Sequence, residues 1–542
     1  MRRSIWFFLF IILLYSCHTN KYPDKKIFRY NESKGISSLD PAFAKSQTNI
    51  WPVHQLFNGL VTLDKHLNIK PSIAKWWEIS DDRLVYTFHL RQDVYFHHDT
   101  AFVQGTRKVK ADDFVYSFTR ILDPKLSSPG SWIFNMVKQD TINQGFIAVN
   151  DSTLKIFLKT PFPGFLGLLS MSYCSVVPIE AVAYYKADFR SHPVGTGPFR
   201  FKFWQEGEKL ILIKNEHYFE KDSAGNSLPY LDAINISFIA DKQSEFLEFL
   251  KGNIDFISGV NANNRNELLT RDGHLNPVYK NRFRLHSQPY LNTEYLGFLL
   301  DSKKLQPQYK ILLDKRIRQA INYGFDRKKM LKYLRNNVGT PANKGFIPCG
   351  LPGYGQTKGF SYNPGKAKQL LAAAGYPNGK GLPTIKLTTT SDYLDLCEFL
   401  QHDLENIGVH LELEVSTGAT FRDFVANSKL PFFRGSWIAD YPDAENYLSL
   451  FYSKNFSPGG PNYTHFYSPI YDSLYEKSLQ VTNDSLRLLL YQKMDQTLMD
   501  SAVIVPLYYD RVIDFTRKNI VNFETNPLNL LELKQVNKST QQ

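Results

Sequence analysis

IAKWWEISDDRLVYTFHLRQDVYF (residues 73–96) and VKADDFVYSFTRILDP (residues 109–124) decide the fold class. In the first, Leu84, Tyr86, Phe88 and Leu90 alternate with Val85, Thr87 and His89, the period-two pattern of a strand with one buried face. In the second, Phe114, Phe118 and Ile121 fall at helical spacing behind Asp112 and Asp113, acids placed to favour a helix N-terminus. A strand leading into an amphipathic helix predicts mixed α/β layers.

Working outward, Leu154, Ile156 and Leu158 read as a second strand that PFPGF (161–165) breaks. VGTGPF (194–199) is a turn, residues 210–214 a strand and NSLPYLD (226–232) a loop. Helices dominate after Tyr290. Ile317, Ala320, Ile321 and Gly324 share one helical face. Asn363 caps a helix with Pro364 at its first position, Gly375 past its end and Pro377 to stop it. Leu400, Leu404 and Ile407 continue a further helix ending at Gly408, and Val409, Leu411, Leu413 and Val415 then alternate as a strand. There are no internal repeats or long linkers, so interleaved domains are expected rather than a string of them.

The 542 residues suit three or four domains, with 43% hydrophobic and 21% charged residues, the balance of a globular protein. The net charge of +12 is spread out, without the basic runs that nucleic-acid binding favours. Cys174, Cys349 and Cys397 permit one disulfide at most and have no metal-knuckle spacing; Cys397 sits on an apolar helical pattern and reads as core.

Arg2 and Arg3 precede an apolar run over residues 5–14, which reaches only about half of a roughly 30 Å hydrocarbon layer. A basic start, a short apolar segment and small or polar residues describe a secretory signal, here residues 1–16. The segment ends LYSC (14–17), which resembles the lipobox of bacterial lipoproteins; that resemblance implies lipid attachment at Cys17 and an extracytoplasmic, membrane-anchored protein.

The two deciding segments, with SSLDPAF (37–43), LFNGL (56–60), VGTGPFRF (194–201), RIRQAINYGFDR (316–327), YNPGKAKQLLAAAGYP (362–377) and WIADYPDAENYL (437–448), resemble the family 5 extracellular solute-binding proteins of bacterial ABC transporters, the oligopeptide- and dipeptide-binding type. One departure is HHDT (97–100), with extra residues before Val109, where the family usually turns on aspartate-glycine. The resemblance implies a two-lobed periplasmic-binding-protein-like fold of class II type, with a ligand cleft between lobes and an additional domain. Lobe I would take 28–64, 190–289 and 505–535, the extra domain 65–189 and lobe II 290–504. Hinge closure over a short peptide, delivery to permease subunits and a monomeric state follow from the same likeness.

By that resemblance Asp440 pairs with a peptide's α-ammonium, and Arg434 meets a ligand carboxylate. Trp437 and Tyr441 line the cleft, and backbone groups from Trp437 to Ala439 take the peptide as an added strand. Each has a plainer role as well: Asp440 as a turn residue before Tyr441 and Pro442, Arg434 as a solvated surface residue, Trp437 and Tyr441 as packing. Thr48, Trp51, Trp132 and the loop 345–355 are looser candidates for the cleft. Nickel chelates, haem, oligosaccharides and cell-wall peptides are alternative solutes within the family.

No cofactor, metal site or catalytic group is expected. GYPNGKG (375–381) lacks the spacing and the Ser or Thr of a phosphate loop, while His97 and His98, with His89, read by default as solvated loop residues. Without a G-x-S-x-G elbow or H-E-x-x-H, a lipid-anchored hydrolase has no positive support.

Overall fold

The computed structural model describes residues 25–139, 145–259 and 262–539; the leader and Cys17 lie outside them. In chain order the strands are β1 (Ile27–Asn31), β2 (Val61–Leu63), β3 (Ile69–Pro71), β4 (Ala74–Ile79), β5 (Val85–Leu90), β6 (Phe146–Asn150), β7 (Thr153–Phe157), β8 (Phe199–Gln205), β9 (Lys209–Lys214), β10 (Ala233–Ser237), β11 (Phe256–Ser258), β12 (Phe283–Phe298), β13 (Thr340–Pro341), β14 (Ile385–Thr389), β15 (Leu411–Val415), β16 (Phe432–Ile438) and β17 (Ile504–Arg517).

The deciding segments fold as the periodicity predicts. Tyr86, Phe88 and Leu90 turn inward from β5, which sits in a four-stranded sheet ordered β4-β5-β7-β6. The helix Ala111–Leu122 covers that sheet with Phe114, Phe118 and Ile121, the Phe118 ring lying 5.2 Å from Phe146. Asp113 caps the helix by accepting from the Lys110 amide at 2.8 Å, and the Arg107 fork clamps Asp113 and Glu180 together at 2.7–2.8 Å.

The main sheet has eleven strands, ordered β15-β14-β16-β12-β17-β11-β1-β10-β9-β8, with β13 against β17. Its two long strands, β12 and β17, run antiparallel from Phe283↔Arg517 to Gly297↔Ile504. They divide the sheet: β11, β1, β10, β9 and β8 extend from one end of the pair, and β16, β14 and β15 from the other. Each half has its own core, one around Phe28, Phe256 and Ile236, the other around Leu296, Ile317, Ile385, Cys397 and Phe432. The result is a two-lobed α/β fold whose halves share the β12/β17 crossing. The first core runs on without a break into the small sheet at Phe88 and Phe118, and Arg120 ties the two with a fork onto Asp40 at 2.5 and 3.0 Å.

The hairpin β2–β3 belongs to the first half, but its tip reaches the second. Leu67, at φ +64°, is buried among Leu291, Tyr295 and Phe346.

The HHDT segment corrects one expectation. His97 is 5% exposed, not a solvated loop residue: Gly197 O lies 3.0 Å from its Nε2, and the Gly195 amide donates to its Nδ1 at 3.3 Å. Burial pushes its pKa down to about 4, so the ring stays neutral. His98 is exposed, and among the described residues no His, Cys, Asp and Glu cluster suits a metal. The VGTGPF turn holds this lodging because a Cβ on Gly195 would lie 2.0 Å from Leu56 O and one on Gly197 2.4 Å from Gln55 O. Cys174, Cys349 and Cys397 are free thiols, so the one permitted disulfide does not form. No helix among the described residues is long and apolar enough to cross a membrane.

Phe118 is wholly buried, so Phe118→Ala is expected to destabilise the chain by about 3–5 kcal/mol. Urea unfolding followed by circular dichroism measures this, and an unchanged midpoint would contradict the packing described.

Candidate functional site

The site is built on β16 and the loop that leaves it. β16 pairs along its length with β12, from Phe432↔Phe298 to Ile438↔Asn292, but meets β14 at Phe433 alone. The Ala439 amide donates to Leu291 O at 2.9 Å, and backbone groups alternate sides along a strand. The groups of Ser436 and Ile438 therefore point to the edge that no strand covers among the described residues. Ala439 itself is 5% exposed and its N–H is committed to Leu291, so the open edge lies at Ser436 and Ile438 rather than at Ala439.

Asp440 begins the following turn. Asn446 organises it: its Oδ1 accepts from the Trp437 indole at 2.8 Å and from the Asp440 amide at 3.2 Å, and its Nδ2 donates to the Asp440 carboxylate at 3.4 Å. Asp440 keeps contact with solvent, yet protein crowds it closely enough that lost hydration raises its carboxyl pKa. No cation among the described residues pairs with it. Tyr173, Tyr447 and Tyr463 lie close enough to feel its charge. Tyr173 belongs to the first core, so Asp440 faces the seam between the halves.

Tyr441 does not line a cleft. It is 4% exposed, part of the first core beside Phe162 and against Gly164 and Gly167, and its hydroxyl donates to Glu445. Tyr475 donates to the same carboxylate, and burial pushes the Glu445 pKa up to about 7. Trp437 is half-buried beside the second half's packing. Trp51 is buried, its indole donating to Asn529 O at 2.8 Å, while Thr48 is half-buried and Trp132 exposed. The 345–355 loop docks inward through Phe346, whose amide donates to Asp495 at 2.7 Å.

Arg434 is not a free surface cation. Its guanidinium pairs with Glu294 and lies over the Tyr393 ring, with side chains 11% and 3% exposed for the pair. A parallel arrangement stands beside it: Arg335 pairs with Asp510 at 3.2 Å and stacks on Tyr508. Asn292 links the two, donating to Glu294 at 3.0 Å and to Asp510 at 3.4 Å. Arg434 Nε, Arg335 Nε, Asn292 Oδ1 and Gln288 Nε2 are buried without a hydrogen-bond partner. Sequence reasoning missed Glu294, Asp510 and Arg335. An acid inside the apolar run YLNTEYLGFLL was the available signal for Glu294.

A separate cavity of about 660 Å³ lies between the β2–β3 hairpin and the segment 522–535, but Lys65–Glu524 at 2.9 Å and Lys534–Glu220 at 2.7 Å neutralise its walls internally.

Two lobes joined by a strand crossing, with an acidic turn at their seam and an open strand edge beside it, define a solute-binding architecture. The chain belongs to the bacterial extracellular solute-binding proteins, family 5, whose middle region matches residues 68–459. It is 30% identical to heme-binding protein A of Haemophilus influenzae over 90% of this chain and 88% of that one. It is 28% identical to the periplasmic oligopeptide-binding protein OppA of Escherichia coli over 90% and 87% of the two chains. Among solved structures, the periplasmic binding protein DppA of Helicobacter pylori in complex with the peptide STSA superposes with a TM-score of 0.77, at 25% identity, covering 94% of this chain and 98% of that one.

Glu445 gives a pH test. Its folded pKa of about 7 lies above the ordinary glutamate value, so the folded state holds the proton more tightly. Stability from this group is full below the ordinary pKa and lost as pH rises through about 7. Glu445→Gln is expected to gain on the parent chain steadily between about pH 4.5 and 7. Melting temperatures of both proteins across that window measure it, and parallel curves would contradict the assignment.

Proposed function

We propose that the protein is the extracytoplasmic receptor of an ABC importer that captures short peptides between its lobes and passes them to permease subunits, without catalysing a reaction. The observation that carries this reading is Asp440: a carboxylate at the seam, without a cation partner among the described residues, beside an uncovered strand edge. An α-ammonium supplies the missing charge, and main-chain pairing with Ser436 and Ile438 adds affinity that does not read side chains. The relatives named for oligopeptides and the peptide-bound structural neighbour support peptide as the solute. The heme-binding relative makes heme the second reading. Closure would move 290–504 against 28–64, 190–289 and 505–535, with 65–189 riding on the first lobe. Residues 1–16 would be removed and Cys17 lipidated, holding the receptor at a membrane through its acyl chains.

Asp440→Asn is expected to weaken peptide binding by about tenfold or more, equivalent to about 1.4 kcal/mol, while leaving the melting temperature within a few degrees. Isothermal calorimetry with a short peptide retained through purification measures it. Unchanged affinity would remove amine capture at this residue.

A further inference from the structure

We infer that the cleft selects ligands that carry a net positive charge and present neutral carbonyls, not a carboxylate, to the arginines beside β16. The inference deepens the peptide reading and rests on it. Four groups settle the charge of this wall. Arg434 and Arg335 could each receive a carboxylate, but Glu294 and Asp510 already neutralise them. The pairs are enclosed: the Glu294 side chain is 3% exposed, Arg434 11%, Asp510 16% and Arg335 23%. A ligand carboxylate reaching Arg434 meets the charge of Glu294 on the same guanidinium, and displacing Glu294 would leave a buried carboxylate stripped of its partner, which is strongly unfavourable.

The same wall has spare hydrogen-bonding capacity of another kind. Arg434 Nε, Arg335 Nε and Gln288 Nε2 are buried donors with nothing to donate to, and Asn292 Oδ1 is a buried acceptor with nothing to accept from. Amide carbonyls and N–H groups satisfy these without breaking either ion pair. Charge elsewhere in the seam points the same way. No cation among the described residues pairs with Asp440. Arg265, near Arg335, donates to Leu334 O, and Asp395 and Asp510 lie within range of its charge. Asp440 thus stands as an acid without a cation partner beside a wall whose two arginines are already paired. A peptide amide, or a peptide whose carboxyl end stays short of Arg434, fits this wall better than a free acid that reaches it.

The test compares, by calorimetry on the purified mature chain, alanine peptides of three, four and five residues, each as free acid and as C-terminal carboxamide. At about 3.3 Å per residue, these lengths bring the carboxyl end progressively from Ile438 toward Arg434. The carboxamide is expected to bind about tenfold or more tighter than the acid at one length at least. Glu294→Gln, which releases Arg434, is expected to reverse that preference; Asp510→Asn, read the same way, serves if the first variant melts early. Acids binding as tightly as amides at every length would overturn the inference and leave peptide capture standing. Binding of neither form at any length would overturn the peptide reading and the inference with it.

Discussion

Everything in this molecule is referred to the antiparallel pairing of β12 with β17. Both strands cross from one half of the main sheet to the other, and each half hangs its remaining strands and helices on one end of the pair. A two-strand ribbon twists and flexes more easily than the wider sheets on either side of it. The crossing is therefore the place where the halves are joined. The register shifts between Pro289 and Thr293 and between Glu294 and Tyr295 fall in this stretch. They turn Glu294 and Asn292 toward Arg434 and Asp510, so the joint and the charged wall are made from the same residues.

That shared construction ties ligand chemistry to lobe geometry. Glu294 comes from β12 and Asp510 from β17, while Arg434 comes from β16 and Arg335 from the chain following a helix of the second half. A guest that perturbed either ion pair would pull directly on a strand of the crossing, whereas one that accepted only from the spare donors would not. Asp440 stands on a loop that Asn446 braces locally, while Tyr447 and the Ala439 amide tie that loop to Leu291 O on β12.

Local structure was legible because it is written locally. The alternation at residues 84–90, the Asn363 cap with its side chain accepting from Lys366 N at 2.9 Å, and the apolar helix carrying Cys397 are set by neighbours a few residues away. Family motifs located Asp440 and Arg434, but not what surrounds them. Arg434 and Glu294 are 140 residues apart in sequence, Arg335 and Asp510 are 175, and His97 lodges beside Gly197 at 100. Such pairings are products of sheet register and lobe docking, and no periodicity encodes them. Of the two roles the motif allows Tyr441, packing is the one seen, for the same reason: the adjoining small-sheet domain supplies Phe162, Gly164 and Gly167 to bury it.

The Leu67 tip gives the two halves a mechanical asymmetry. A leucine of the first half sits within apolar packing of the second, on a strained residue that Asp64 props by accepting from the His66 and Asn68 amides. When the halves part, that side chain is either drawn into water, at about 1.5–3 kcal/mol, or drags its hairpin along as a tether. The first route makes the hairpin a detent that holds the shut state until a larger force arrives; the second limits how wide the halves swing. In both, the parting of the halves would be governed by a contact remote from the Asp440 turn.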